Sequence, residues 1–154
     1  MINNTAKHWM APLCLMLMIG TGIFGGGSVQ AHKGATGIVK ERMDLFKRNQ
    51  ELLKAMRPLI AVGDMTTIIS HAEEIALFAD KMPDYFPVGS DDKPSEASPQ
   101  IWQAFDDFRA AAMANANAAR QISAAARQGD KDALKTAIIA TGASCKSCHR
   151  QFRQ

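Results

Sequence analysis

Beyond its first 31 residues this chain repeats apolar residues three and four positions apart almost without interruption, and no stretch alternates in the manner of a half-buried strand. Ile38, Leu45, Leu52, Met56 and Leu59 form one such stripe and predict a first helix over about 35–61, which Pro58 should kink or end early. Asp64 is placed to cap a second helix that turns Met65, Ile68, Ile69, Ala72, Ile75 and Ala79 inward and ends near Lys81. The segment "MPDYFPVGSDDKPSEASPQ" carries four prolines and reads as loop. Ser98 and Pro99 then signal a third helix with Ile101, Phe105, Phe108, Ala112, Ala119 and Ile122 on one face. Gly129 stops it, and Asp130 caps a fourth whose stripe is Leu134, Ala137, Ile138, Thr141, Cys145, Cys148 and Phe152. Four amphipathic helices with mostly short connections are expected to form an all-α, antiparallel, up-down-up-down four-helix bundle.

The first 31 residues differ in kind. A polar start containing Lys7 leads into "MAPLCLMLMIGTGIF" and then "GGGSVQA", the layout of a secretory signal peptide with Ala31 as the last residue removed. A membrane anchor is the competing reading, but Gly20, Gly22 and Gly25 to Gly27 interrupt the run before the ~18–20 apolar residues that a span requires. Cys14 has no lipobox around it and is expected to leave with the leader. The remaining domain, His32 to Gln154, carries 17 basic and 15 acidic residues once Lys7 is gone. That balance argues against a nucleic-acid partner, which would call for a clustered basic face. Export implies the periplasm, with no membrane anchor after cleavage. A bare Cys-x-x-Cys pair there would tend to oxidise.

Cys145, Cys148 and His149 fall within "SCKSCHRQF", close to the chain end. Cys-x-x-Cys-His is the attachment signature of a c-type haem. On a helix the two thiols share one side and can form thioethers with two vinyl groups, while His149 follows directly to reach the iron. The rival chemistries fit less well. Structural zinc asks for four ligands, and the sequence offers no second Cys/His cluster. A thioredoxin-like pair opens a helix after a strand, whereas this pair sits near a helix C-terminus.

With those residues in view, the domain resembles the cytochrome c′ family, the class II c-type cytochromes, over essentially its whole length. "ASCKSCHRQFR" is similar to that family's haem helix, including the arginine four residues after the ligand, here Arg153. "VKERMDLFKR" resembles its first-helix haem-facing segment, and "FPVGSDDKPSEASPQIW" its second crossover. The resemblance implies one covalent haem c, with Arg42, Met43 and Glu96 as haem contacts and Arg42 reaching a propionate. Trp102 and Phe105 could pack on the haem or simply in the core. His71 is expected to be exposed rather than a ligand.

In this family the sixth iron position is set by the residue four after the arginine. In low-spin relatives of the cytochrome c-556 type it is a methionine. Here it is Phe46, which has no lone pair to donate, so the resemblance implies a five-coordinate, high-spin haem. Met43 is the nearest ligand-capable alternative, but its offset from Arg42 should point it elsewhere. An apolar distal face disfavours dioxygen, water and anions, and leaves nitric oxide and carbon monoxide as ligands. Peroxidase chemistry would need a distal acid/base, and only Lys47 and Arg48 lie near, both expected to point outward. A ligand-binding protein with an electron-transfer side, rather than an enzyme, is therefore expected. Its redox partner is unknown, and the family's habit of pairing through the first two helices suggests a homodimer.

Overall fold

The computed structural model describes residues 34–154. The leader, Cys14 and His32 lie outside the described residues. Helix α1 (Gly37–Val62) contains Pro58 and continues past it. The expected early stop does not occur: the helix runs on to Val62 although the proline forgoes the N–H bond to the Lys54 carbonyl. Gly63 ends the helix, and the Asp64 N–H returns to the Leu59 carbonyl at 3.0 Å. Helix α2 (Met65–Lys81) starts as expected, with the Asp64 carboxylate accepting from the Thr67 N–H at 3.0 Å.

A 3₁₀ turn at Met82–Tyr85 opens the proline-rich crossover that was expected to be loop throughout. The expected third helix is divided. A single turn, α3 (Gln100–Gln103), bends at Ala104 into α4 (Phe105–Gln128). Backbone bonds persist on both sides of the bend, from Ala104 N–H to the Gln100 carbonyl and from Phe108 N–H to the Ala104 carbonyl, each 3.0 Å. The cause lies in Trp102, whose indole N–H donates to the Phe86 carbonyl at 3.0 Å and ties α3 to the crossover instead of the α4 axis. Gly129, at φ 68°, takes the left-handed conformation that closes α4. Asp130 then caps α5 (Lys131–Phe152) by accepting from the Ala133 N–H at 2.9 Å.

The long helices α1, α2, α4 and α5 form the antiparallel four-helix bundle. Contact is most extensive between α2 and α4, then between α4 and α5, while α1 and α5 touch only marginally. Small side chains explain the first of these. Ala72, Ala76 and Ala79 of α2 and Ala112, Ala116 and Ala119 of α4 are all buried, so the two backbones can approach closely. Arg120–Asp80 and Arg127–Glu73 pairs lie along the same seam, and Arg48–Glu74 joins α1 to α2. These pairs are half exposed, so solvent screens them and each adds little to stability.

The core has two parts. One is aliphatic, centred on Leu52, Met56, Ile68, Ile122 and Leu134. The other is aromatic, with Phe78, Phe86, Phe108 and Phe152 buried and Phe46, Tyr85, Trp102 and Phe105 packed around them. None of the described helices is long and apolar enough to cross a membrane.

Candidate functional site

Because α1 and α5 diverge, a cavity of about 640 Å³ opens between them, bounded behind by α2 and α4 and at one end by the crossover. Its volume falls within the ~300–1,000 Å³ usual for cofactor sites. Cys145, Cys148 and His149 all line it, at positions i, i+3 and i+4 of α5, which places them on one helix face. Both cysteines are free and partly buried. Burial pushes both thiols up, Cys148 to about 11 with the neighbouring Cys145 adding to it, while the Asn115 hydrogen bond partly offsets the rise at Cys145. Such thiols stay protonated at neutral pH, unlike a thiolate zinc site or an activated redox pair. Among the described residues no three His, Cys, Asp or Glu side chains converge to hold a metal ion.

The His149 imidazole is held below its ordinary value, first by loss of water around its cavity side and next by Arg153, with Glu96 opposing. Its ring therefore stays neutral near pH 7 and keeps a lone pair for a metal. Phe46 of α1 faces it, the two ring centroids 6.3 Å apart at 66°. Phe78 fixes Phe46 edge-on at 5.1 Å and Phe86 at 6.3 Å. Met43 also lines the cavity, where a haem contact was expected. One helical turn carries residues 42, 43 and 46 onto the same broad face. Arg48 points outward as expected, with its Nε 2.8 Å from Glu74, while Lys47 stays at the exposed rim near Glu51.

Arg42 is 2 % exposed and lines the cavity wall. Its Nη1 donates to the Tyr85 carbonyl at 3.1 Å and to Ser90 Oγ at 2.7 Å, and its Nη2 to the Ser90 carbonyl and to Ser95 Oγ at 2.7 Å. Burial lowers its pKa, Asp91 opposes, and the Phe86 ring lies 4.3 Å from the guanidinium carbon. Four of the five N–H groups thus hold the crossover, leaving only Nε for a propionate. Glu96 also lines the cavity, but its carboxylate binds Arg153, with Nε at 2.6 Å. The Gln154 N–H meets the Glu96 carbonyl at 2.9 Å and the Ser98 N–H the Phe152 carbonyl at 3.0 Å, so the chain end is stitched to the crossover.

Trp102 and Phe105 do not line the cavity. They belong to the aromatic core, and Trp102 anchors the crossover. His71 is half-buried rather than exposed, with Nδ1 buried and unpartnered. Sequence reasoning missed Ser90 and Ser95, whose role depends on a partner more than 40 residues away. It also missed Asn115, which lines the cavity. The visible signal was a polar residue on the face of Ala112 and Ala119.

Whether these residues fit a haem can be tested at Gly142. This glycine stands in mid-α5 on the cavity wall, three residues before Cys145, and a Cβ built there would meet nothing within 4 Å. A mid-helix glycine is unfavourable by about 0.5–1 kcal/mol relative to alanine, and here it keeps the helix surface flat beside the two cysteines. The apolar walls, paired thiols, neutral imidazole and flat floor fit a covalently attached porphyrin.

Fold and site together define a four-helix bundle built around a c-type haem motif. The family model for Cytochrome C′ matches residues 37–153, and the chain belongs to that family of c-type cytochromes, which implies covalently attached haem c. The cytochrome c′ of Pararhodospirillum photometricum is 33 % identical over 117 residues, covering 75 % of this chain and 90 % of the relative. The cytochrome c-556 of Agrobacterium fabrum is 32 % identical over 125 residues, covering 77 % and 82 %. Among solved structures, a nitric oxide complex of a cytochrome c′ variant from Alcaligenes xylosoxidans superposes with a TM-score of 0.66 at 28 % identity, covering 76 % of this chain and 94 % of the other.

Proposed function

We propose that this chain is an exported, periplasmic cytochrome whose single haem c is five-coordinate and high-spin, binds nitric oxide or carbon monoxide, and can take part in electron transfer. Residues 1–31 are removed as a signal peptide. Cys145 and Cys148 would hold the haem through thioethers, each S–H adding across a vinyl group with no net redox change. His149 supplies the axial nitrogen. The bound group contributes an iron with one position left open, and the protein decides what reaches it.

The observation that carries the reading is Phe46. Its ring stands opposite His149, is fixed by Phe78 and Phe86, and presents no donor atom. It shields the open position from water and anions while a small uncharged diatomic can pass. Arg42 holds the crossover against the cavity and would offer its remaining Nε–H to a propionate; Met43 and Glu96 would complete the contacts. Neighbouring structures support the ligand class, since one holds nitric oxide. A homodimer through α1 and α2 belongs to the same proposal, and sedimentation of the haem-loaded protein tests it.

A second reading has its own observation. Met43 lines the cavity, and a cytochrome c-556 is among the relatives at 32 % identity. In that reading a methionine sulfur takes the sixth position and the protein is a low-spin electron carrier. Carbon monoxide addition to the reduced protein separates the two: rapid spectral change supports the open site, and indifference supports the methionine ligand.

A further inference from the structure

We propose that Asn115 is a positioning residue for the Cys145 sulfur, setting the thioether on that side and the electrostatics of the adjoining haem edge. The proposal rests on the haem reading above. Asn115 is 5 % exposed, on the buried face of α4 between Phe108 and Ile122 and among Ala112, Ala116 and Ala119. An asparagine there breaks two local rules at once. It is a poorer helix former than alanine, and its carboxamide must give up water. Local conflict of this kind concentrates at functional sites.

Its hydrogen bonds show what the conflict serves. Nδ2 donates to Ser144 Oγ at 2.9 Å and to Cys145 Sγ at 3.4 Å, both across the α4–α5 seam. The Ser144 hydroxyl donates in turn to the Thr141 carbonyl at 2.8 Å, which orients its oxygen to accept. Both hydrogens of the Asn115 amide are thereby committed, one to a fixed serine and one to the sulfur. Helix packing alone does not need this arrangement, since the same two helices meet further along through Ile122 and Leu134 with no polar contact between them. A sulfur keeps acceptor lone pairs after alkylation, so the contact is available to thiol and thioether alike. It selects one rotamer for Cys145 and places the positive end of an N–H dipole at the haem edge. A positive end there favours the state holding the extra electron. Asn115 therefore raises the reduction potential.

The test uses the haem-loaded protein in four forms: wild type, Asn115→Leu, Cys145→Ala and the double variant. Leucine keeps the shape and loses the donors. The expected result is a lower midpoint potential in Asn115→Leu than in wild type, with covalent attachment retained, and no further lowering when the same change is made in the Cys145→Ala background. An equal shift in both backgrounds, or none in either, would overturn the proposal and leave Asn115 as packing. Should Cys145→Ala fail to accumulate, the thioether C–S bands in resonance Raman spectra of wild type and Asn115→Leu decide: one displaced band supports the proposal, and two unchanged bands overturn it. Wild type without covalent haem would instead overturn the haem reading itself, a distinct outcome seen by intact mass.

Discussion

At the end of the bundle where α2 and α5 begin, Ile68, Ile122 and Leu134 are fully buried among alanines and methionine, and the core is aliphatic. At the other end the same four helices enclose a cavity, and aromatic rings, a buried arginine and a buried asparagine take the place of close aliphatic contact. The difference follows from what each end must hold. Interdigitated aliphatic side chains gain stability from contact alone. A cofactor cleft forgoes that contact before loading, so its walls are held apart by rigid rings and by hydrogen bonds of fixed direction. Arg42 shows the second strategy most plainly, joining α1 to a crossover that has no helix ladder of its own over residues 86–98.

The largest effect should come from breaking the aliphatic end. Ile122→Ala is expected to lower stability by about 2–5 kcal/mol through lost burial and the cavity left behind, with the haem spectrum unchanged. Chemical denaturation followed by far-ultraviolet circular dichroism measures the first, and absorption the second. Equal damage to the spectrum would mean the two ends are one cooperative site.

Arg42→Gln strikes the other end. Loss of charged donors to Tyr85, Ser90 and Ser95 should reduce stability by about 1.5–3 kcal/mol and shift the midpoint potential, with covalent attachment retained. Arg42→Lys should not restore it, because one ammonium cannot span the carbonyl and hydroxyl acceptors that the planar guanidinium reaches. Full rescue by lysine would show that charge alone matters there.

Gly142→Ala should reverse sign between the two states of the protein. In the haem-free chain it should stabilise α5 by about 0.5–1 kcal/mol. In the loaded protein the methyl group enters the cavity and should lower thermal stability. Melting curves of both forms check this, and stabilisation in both would remove Gly142 from the site.

The smallest effect concerns pH. Folding holds the His149 imidazole below its unfolded value, so the unfolded haem-free chain binds the proton first. Stability conferred by keeping the ring neutral is then lost as pH falls through about 6.5 toward the lower folded value, and should rise with pH across that window. His149→Gln should flatten this slope in urea titrations of the haem-free protein. An unaltered slope would assign it to other groups.

Local features of the fold were legible in the sequence. Asp64 and Asp130 cap the helices they were expected to cap, Gly129 closes α4, and the inward stripes fall on buried or half-buried residues, because each depends on neighbours within a turn. Non-local features were not. The bend at Ala104 comes from Trp102 reaching the crossover, and the stitching of Gln154 to Glu96 from chain ends meeting in space. At the site, the position of Phe46 came through the family resemblance, and the Cys-x-x-Cys-His spacing could be read directly. That Arg42 would commit four donors to the crossover could not, since its acceptors are mostly backbone and hydroxyl oxygens that carry no sequence signature.

The central claim is that Phe46 occupies the face opposite His149 and donates nothing to the iron. It is tested most directly by electronic absorption and magnetic resonance of the purified wild-type protein beside Phe46→Met. Wild type should be high-spin in both oxidation states, without a methionine-to-iron charge-transfer band, and its reduced form should bind carbon monoxide readily. Phe46→Met should become six-coordinate and low-spin, with slower carbon monoxide binding because the thioether must first leave. A wild-type spectrum that is already low-spin and indifferent to carbon monoxide would contradict the account and place another residue, Met43 first, on the iron.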